Sequence, residues 1–106
     1  MRVIALSALR DFWARPEHAS SEEPLRAWYQ EVRQVQWQQP ADIKADYGSA
    51  SILKNRRVVF NIKGNDYRLI VAIAYRAQFV YVKFIGTHAE YDKVDAAVVV
   101  DQFKGM

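Results

Sequence analysis

Apolar positions recur at two different periods along this chain, and the change of period divides it near its middle. In the first half Leu6, Leu9 and Trp13 fall at helical spacing, and the pattern stops near Pro16, which cannot continue a helix interior. A short strand is expected before this helix, at residues 2–5. In "SSEEPLRAWYQEVRQVQW", Ser20 with Glu23 three residues on suggests an N-terminal cap. Leu25, Trp28, Tyr29, Val32 and Val35 then line one face of a second helix. Residues 37–57 contain Pro40, Gly48 and several Ser, Asp and Asn, and read as loop with one helical turn begun at Pro40.

The second half alternates instead. "RVVFNIKGNDYRLIVAIAYRAQFVYVKFIGT" is rich in Val, Ile, Phe and Tyr and is broken at Gly64-Asn65 and at Arg76-Ala77-Gln78, which predicts a three-stranded antiparallel meander. A two-residue turn at Gly64-Asn65 sets Lys63 opposite Asp66, Ile62 opposite Tyr67, Asn61 opposite Arg68 and Phe60 opposite Leu69. Phe60, Ile62, Tyr67, Leu69, Val71 and Ile73 then share an apolar face for the helices to cover, and Val80, Val82 and Phe84 are expected to join them. Asn61, Lys63, Asp66, Arg68, Tyr81 and Lys83 fall on the other face. Together these elements predict an α+β fold: two N-terminal helices on a small antiparallel sheet, then a short C-terminal helix.

That last helix is expected in "FIGTHAEYDKVD". Thr87 and Glu90 have the spacing of a capping box, so the helix starts directly after the strand with His88 in its first turn. His88, Tyr91 and Asp92 then stand at i, i+3 and i+4, close enough to act together. Two readings compete. In one, His88 and Asp92 are solvated first-turn residues and Tyr91 covers an edge of the core. In the other, a neutral histidine takes a proton beside a phosphate held near the helix start. Arg68 favours the second, because a charge among the apolar residues of its strand is costly without an anion or a carboxylate beside it. Polar residues on the open side of a sheet are otherwise ordinary.

Composition narrows the choice. A chain of 106 residues suits one domain, expected over 1–106. With 51% hydrophobic and 25% charged residues it is expected to fold as a compact unit. The absence of cysteine rules out disulfides and thiolate zinc sites, and two distant histidines make a poor metal cluster, so no metal or cofactor is expected. "MRVIALSALRDFWARP" lacks the features of a secretory signal, and neither "LIVAIAY" nor "AAVVV" approaches the ~18 residues of a membrane-spanning helix. A cytoplasmic protein without membrane contact is the expectation. Fifteen Lys and Arg against twelve Asp and Glu give a net charge of +3, a mild bias toward polyanions. No Gly-rich phosphate loop, nucleophilic triad or glycosidase carboxylate pair stands out. His18, beside Pro16-Glu17, reads as a loop residue.

"VVFNIKGNDYRLIVAI" followed by "VYVKFIGTHAEYDKVD" resembles the HigB toxins of bacterial toxin-antitoxin systems, within the RelE/ParE superfamily. "ALRDFW" and "EPLRAWY" resemble its two N-terminal helices, so the similarity spans nearly the whole chain. The resemblance implies a RelE-like fold and a ribosome-dependent endoribonuclease that cuts translated mRNA without a metal, by attack of the ribose 2′-hydroxyl. It implies a HigA-type helix-turn-helix antitoxin as partner, with DNA reached only through that antitoxin; Trp28, Tyr29 and the neighbouring helix surface are candidates for its contact surface where they are not wholly buried, and the core is the first reading of Trp28. Carried over residue by residue, the implied catalytic set is His88, Tyr91, Arg68, Lys63 and Asp92, with Asn61 and Lys83 as RNA-binding residues. RelE relies on a cluster of Lys and Arg, and this chain offers His88 where RelE has an arginine, which leaves the acid and base roles open. The alternatives are a ParE-like toxin directed at gyrase, against which Arg68, His88 and Tyr91 argue, and a non-catalytic RNA- or ribosome-binding module.

Overall fold

The computed structural model describes residues 1–99, so the domain expected over 1–106 runs beyond them at its C-terminal end. Its elements follow one another as β1 (Arg2–Ile4), α1 (Leu6–Trp13), a 3₁₀ helix (Pro16–Ser21), α2 (Glu22–Gln34), α3 (Pro40–Asp46), β2 (Ser51–Ile52), β3 (Arg57–Ile62), β4 (Tyr67–Ala74), β5 (Phe79–Thr87) and α4 (His88–Tyr91). The fold is α+β, as the periodicity predicts.

The strands form one sheet in the order β1-β5-β4-β3-β2. The predicted meander β3-β4-β5 is its centre, but β1 pairs with β5 in parallel, which makes the sheet mixed rather than wholly antiparallel. The chain can run parallel there because the helices and the strands β2–β4 all lie between β1 and β5 in sequence, a connection long enough to bring the chain back to that edge of the sheet. Residues 37–57 are more ordered than expected: Trp37 and Ile43 are buried, so the α3 segment closes one end of the core.

Leu9, Phe12, Trp13, Leu25, Trp28 and Val32 from the two long helices meet Phe60, Ile62, Leu69, Val71, Ile73, Val80 and Val82 from the sheet in a single apolar cluster. Trp28 is only 2% exposed and packs its ring on Phe60 at 5.4 Å, so it belongs to the core and not to a docking surface. Tyr29 is half-buried, with the Arg33 guanidinium 5.4 Å from its ring.

Three local expectations give way. Ser20 does not cap α2, because the preceding 3₁₀ helix already holds Ser21 in helical geometry (φ −83°, ψ −11°), and a capping side chain needs an extended backbone. The Ser20 hydroxyl meets the Tyr67 hydroxyl at 2.9 Å instead. His18, expected in a loop, is buried in that 3₁₀ helix, stacked on Phe12 at 4.0 Å. The third concerns β5. Ile70 pairs with Phe84 but Val71 pairs with Val82, so Lys83 is an extra residue in a β-bulge. The bulge turns Phe84 away from the helices, to pack with Val59, Ile70 and Ala96 on the other face, while Ile85 joins the main core.

The β3-β4 register is the predicted one, with Asn61 opposite Arg68 and Phe60 opposite Leu69. The turn differs in detail. Lys63 and Gly64 carry the positive φ values, 52° and 61°, rather than Gly64 and Asn65. No helix among the described residues is long and apolar enough to cross a membrane.

Candidate active site at the sheet end

Along the face that turns away from the helices, cross-strand pairing makes three successive rows. Asn61, Arg68 and Gly86 form the first, Val59, Ile70 and Phe84 the second, and Arg57, Ala72 and Tyr81 the third. The middle row is apolar and is sealed by Ala96, with Tyr91, Val94, Val99 and Leu53 packed around it. Polar chemistry is therefore divided between the two ends of the face.

Arg68 dominates the first end. It is 9% exposed, donates from Nη1 to its own strand's Tyr67 carbonyl at 3.2 Å and from Nη2 to Asn65 Oδ1 at 3.3 Å, and its guanidinium stands 5.8 Å from the centre of the Tyr91 ring. Among the described residues no carboxylate pairs with it. A guanidinium so held keeps a charge that an arriving anion would neutralise. Gly86, its neighbour on β5, is tightly overlaid, since a Cβ there would lie 2.6 Å from Phe84 Cζ and 3.0 Å from Glu90 Oε1.

The predicted capping box starts α4. Thr87 Oγ1 accepts from the Glu90 amide at 3.2 Å, and Glu90 Oε1 accepts from the Thr87 amide at 2.8 Å. The His88 amide donates to the Asp66 carbonyl at 3.2 Å, which ties α4 to the tip of the β3-β4 hairpin. Asp92 Oδ2 lies 3.3 Å from His88 Nδ1, an ion pair whenever the imidazole is protonated. The rings of His88 and Tyr91 are 6.5 Å apart. Side-chain exposures of 50% for His88 and 60% for Asp92 leave the pair open to a large substrate. Lys63, at the hairpin tip, pairs with Asp66 at 3.5 Å.

Of the residues singled out from the sequence, then, Arg68, Tyr91, His88 and Asp92 form one connected group, Lys63 is linked to it through Asp66, and Asn61 is the cross-strand partner of Arg68. Lys83 is not part of it. The bulge sends Lys83 toward the third row, where its Nζ stands 5.6 Å from the Tyr81 ring. Two contributors escaped sequence reasoning. The pairing rules assign Asn65 only to the turn, although it holds Arg68, and give Asp66 only a register and a place on the polar face, although it anchors both Lys63 and α4. Hairpin pairing alone could have suggested Asn65, because it places the turn within three residues of Arg68. Among the described residues no three His, Asp or Glu side chains come together as a metal ion requires.

The group combines a fixed cation, an exposed imidazole backed by a carboxylate, and a phenol. These are the parts for stabilising an anion while moving protons. Residues 21–94 match the HigB toxin family, described as the RelE-like toxic component of a toxin-antitoxin system. The chain is also 28% identical, over 94 residues, to the mRNA interferase toxin HigB of Escherichia coli; the match covers 87% of this chain and 88% of that protein. The same identity and coverage hold for the mRNA interferase HigB of Shigella flexneri.

Proposed function

Because this chain belongs to the HigB family of RelE-like toxins, we propose that it is an mRNA interferase, an endoribonuclease that cuts mRNA on translating ribosomes, in the cytoplasm. The observation that carries the reading is the buried Arg68 guanidinium, without a carboxylate partner among the described residues, beside Tyr91 and within the group that holds His88 and Asp92.

The reaction is attack of a ribose 2′-oxygen on the adjacent phosphorus. The new bond closes a 2′,3′-cyclic phosphate, the bond to the 5′-oxygen breaks, and that oxygen leaves as a 5′-hydroxyl. One proton leaves the 2′-hydroxyl and one is delivered to the 5′-oxygen, so no water or redox partner is consumed. Arg68 and Lys63 bear the charge that grows on the phosphate oxygens. His88 and Tyr91 divide the proton transfers. In the arrangement with His88 as base, Asp92 stabilises the imidazolium that forms. Asn61 contacts RNA beside Arg68, and Lys83 contacts it further along the strand.

The set is small and exposed, so the ribosome supplies what it lacks by fixing the mRNA in an in-line geometry. Purified protein is expected to cut mRNA in a translating extract, leaving 5′-hydroxyl ends, and to leave the same RNA largely intact when ribosomes are omitted. Equal cleavage of naked RNA would overturn ribosome dependence, and cleavage in neither would overturn the enzyme reading. The partner proposed for storage is a HigA-type helix-turn-helix antitoxin, and co-elution with such a protein on size-exclusion chromatography tests it.

A further inference from the structure

Beyond the sealed apolar row, the third row opens into a separate pocket of about 480 Å³ lined by Asn55, Arg56, Arg57, Tyr81 and Lys83, with Ala72 in its wall. Its volume falls in the range of small-molecule sites, roughly 300–1,000 Å³. Three cations meet there, and none has a carboxylate partner among the described residues. Arg57 is used structurally: its Nη1 donates to the Val99 carbonyl at 2.6 Å and to the Ala96 carbonyl at 3.3 Å, which pins the C-terminal segment over the sheet. Neither Arg56 nor Lys83 has an ion pair among the described residues, and Lys83 meets the ring of Tyr81. Arg56 projects from a turn in which it and Asn55 both have positive φ, 57° and 61°, and it is exposed. Tyr81 is half-buried, its ring flanked by Lys83 Nζ and, at 5.9 Å, by Phe79.

Cations gathered without counter-charges around an accessible aromatic ring match the chemistry of single-stranded nucleic acid, in which phosphates and stacking faces alternate. The pocket lies on the same sheet face as Arg68. Arg68 and Ala72 are four residues apart on β4, about 13 Å at the rise of a strand. An extended RNA strand covers that distance in a few nucleotides. Resting on the ribonuclease reading, we infer that this pocket is a second RNA subsite: Arg56 and Lys83 hold a backbone phosphate and Tyr81 supports a base, a few nucleotides from the phosphate cut beside Arg68. An acidic protein segment would satisfy the cations but would leave the aromatic wall without a partner, which favours RNA.

The test uses Arg56→Glu and Lys83→Glu, singly and together, both at positions outside the main core, with Tyr81→Leu as a variant that keeps all charges. Each protein is titrated with a fluorescent 2′-O-methyl RNA hexamer, which binds but has no free 2′-hydroxyl to attack, over a range of salt concentrations. The double variant is expected to bind on the order of tenfold or more weakly, with a salt slope lower by about 0.7, the single-strand value for the one phosphate that the two cations hold. Tyr81→Leu is expected to weaken binding while leaving the slope unchanged. In the translating extract the half-saturating concentration of programmed ribosomes is expected to rise for the double variant more than the rate at saturation falls. Unchanged hexamer affinity and slope, or absent binding by the wild type, would overturn the subsite. So would a double variant that lost only antitoxin binding, since the pocket would then be a protein contact. A wild type that bound the hexamer with the expected slope yet cut no mRNA would sink the ribonuclease reading and leave the subsite standing.

Discussion

Arg68 and Tyr91 come from different elements, yet the guanidinium of one lies 5.8 Å from the ring centre of the other. The ring face attracts the cation and shields it on one side without neutralising it. Asn65 and the Tyr67 carbonyl hold the guanidinium further, so Arg68 is oriented before any substrate arrives.

Arg68→Ala is therefore expected to lower mRNA cleavage by about 10²–10³, the usual loss for one electrostatic donor to a reacting oxyanion. Asn65→Ala should lower it less, because the Tyr67 carbonyl still restrains the guanidinium. Cleavage rates of folded variants in a translating extract measure both, and a wild-type rate for Arg68→Ala would remove the phosphate-binding role.

His88→Ala and Tyr91→Phe should each relieve growth arrest while the protein still folds and binds its antitoxin. Thr87→Ala should behave oppositely, costing about 1 kcal/mol of stability through the lost cap and leaving the chemistry of the folded fraction in place. Chemical denaturation alongside the cleavage assay separates the two effects. Normal cleavage by both the His88 and the Tyr91 variants would reduce the stretch to a capped helix start.

Gly86→Ala is expected to destabilise the protein by about 1–3 kcal/mol, since the added methyl group meets the buried Phe84 ring and the Glu90 carboxylate that completes the cap. If Phe84 and Glu90 yield, α4 shifts, so activity should fall as well. A Gly86→Ala protein with unaltered melting temperature and cleavage would show that this end of the sheet adapts freely.

Burial, then the hydrogen bond to Glu31 and the nearby carboxylate charges, push the Tyr47 phenol well above its ordinary value of 10.0. The folded state thus favours the protonated phenol. Its stabilising contribution is whole below about pH 10 and is lost progressively as pH rises past that value toward the folded-state pKa. Tyr47→Phe should be less stable than wild type at neutral pH and should lose less between about pH 9 and about pH 11. Parallel alkaline stability curves for the two proteins would contradict this.

Much of this arrangement is legible in the sequence because it is set by short-range chemistry. Gly64 beside alternating Phe60, Ile62, Tyr67 and Leu69 specifies the hairpin register, and Thr87 with Glu90 specifies the start of α4. What escapes depends on pairing between distant segments. The parallel β1 requires knowing which distant strand returns beside it, and the burial of His18 depends on Phe12 and Tyr67 meeting each other and the imidazole in one cluster. Lys83 escapes for another reason: Phe84 and Ile85 are both apolar, so alternation alone cannot tell which of them faces the helices.

The bulge at Lys83 can also be seen as a shift of phase. A strand has only two settings, and one additional residue exchanges them for everything downstream. Ile85, Gly86 and Thr87 inherit the exchanged setting, and α4 leaves the sheet in the direction it dictates. Pairing the same residues without the bulge would set Lys83 opposite Ile70 and Phe84 opposite Leu69, and would aim the helix that carries His88 and Tyr91 at the opposite side of the sheet, away from Arg68. The bulge in β5, as much as the identity of any side chain, is what brings the two halves of this site together.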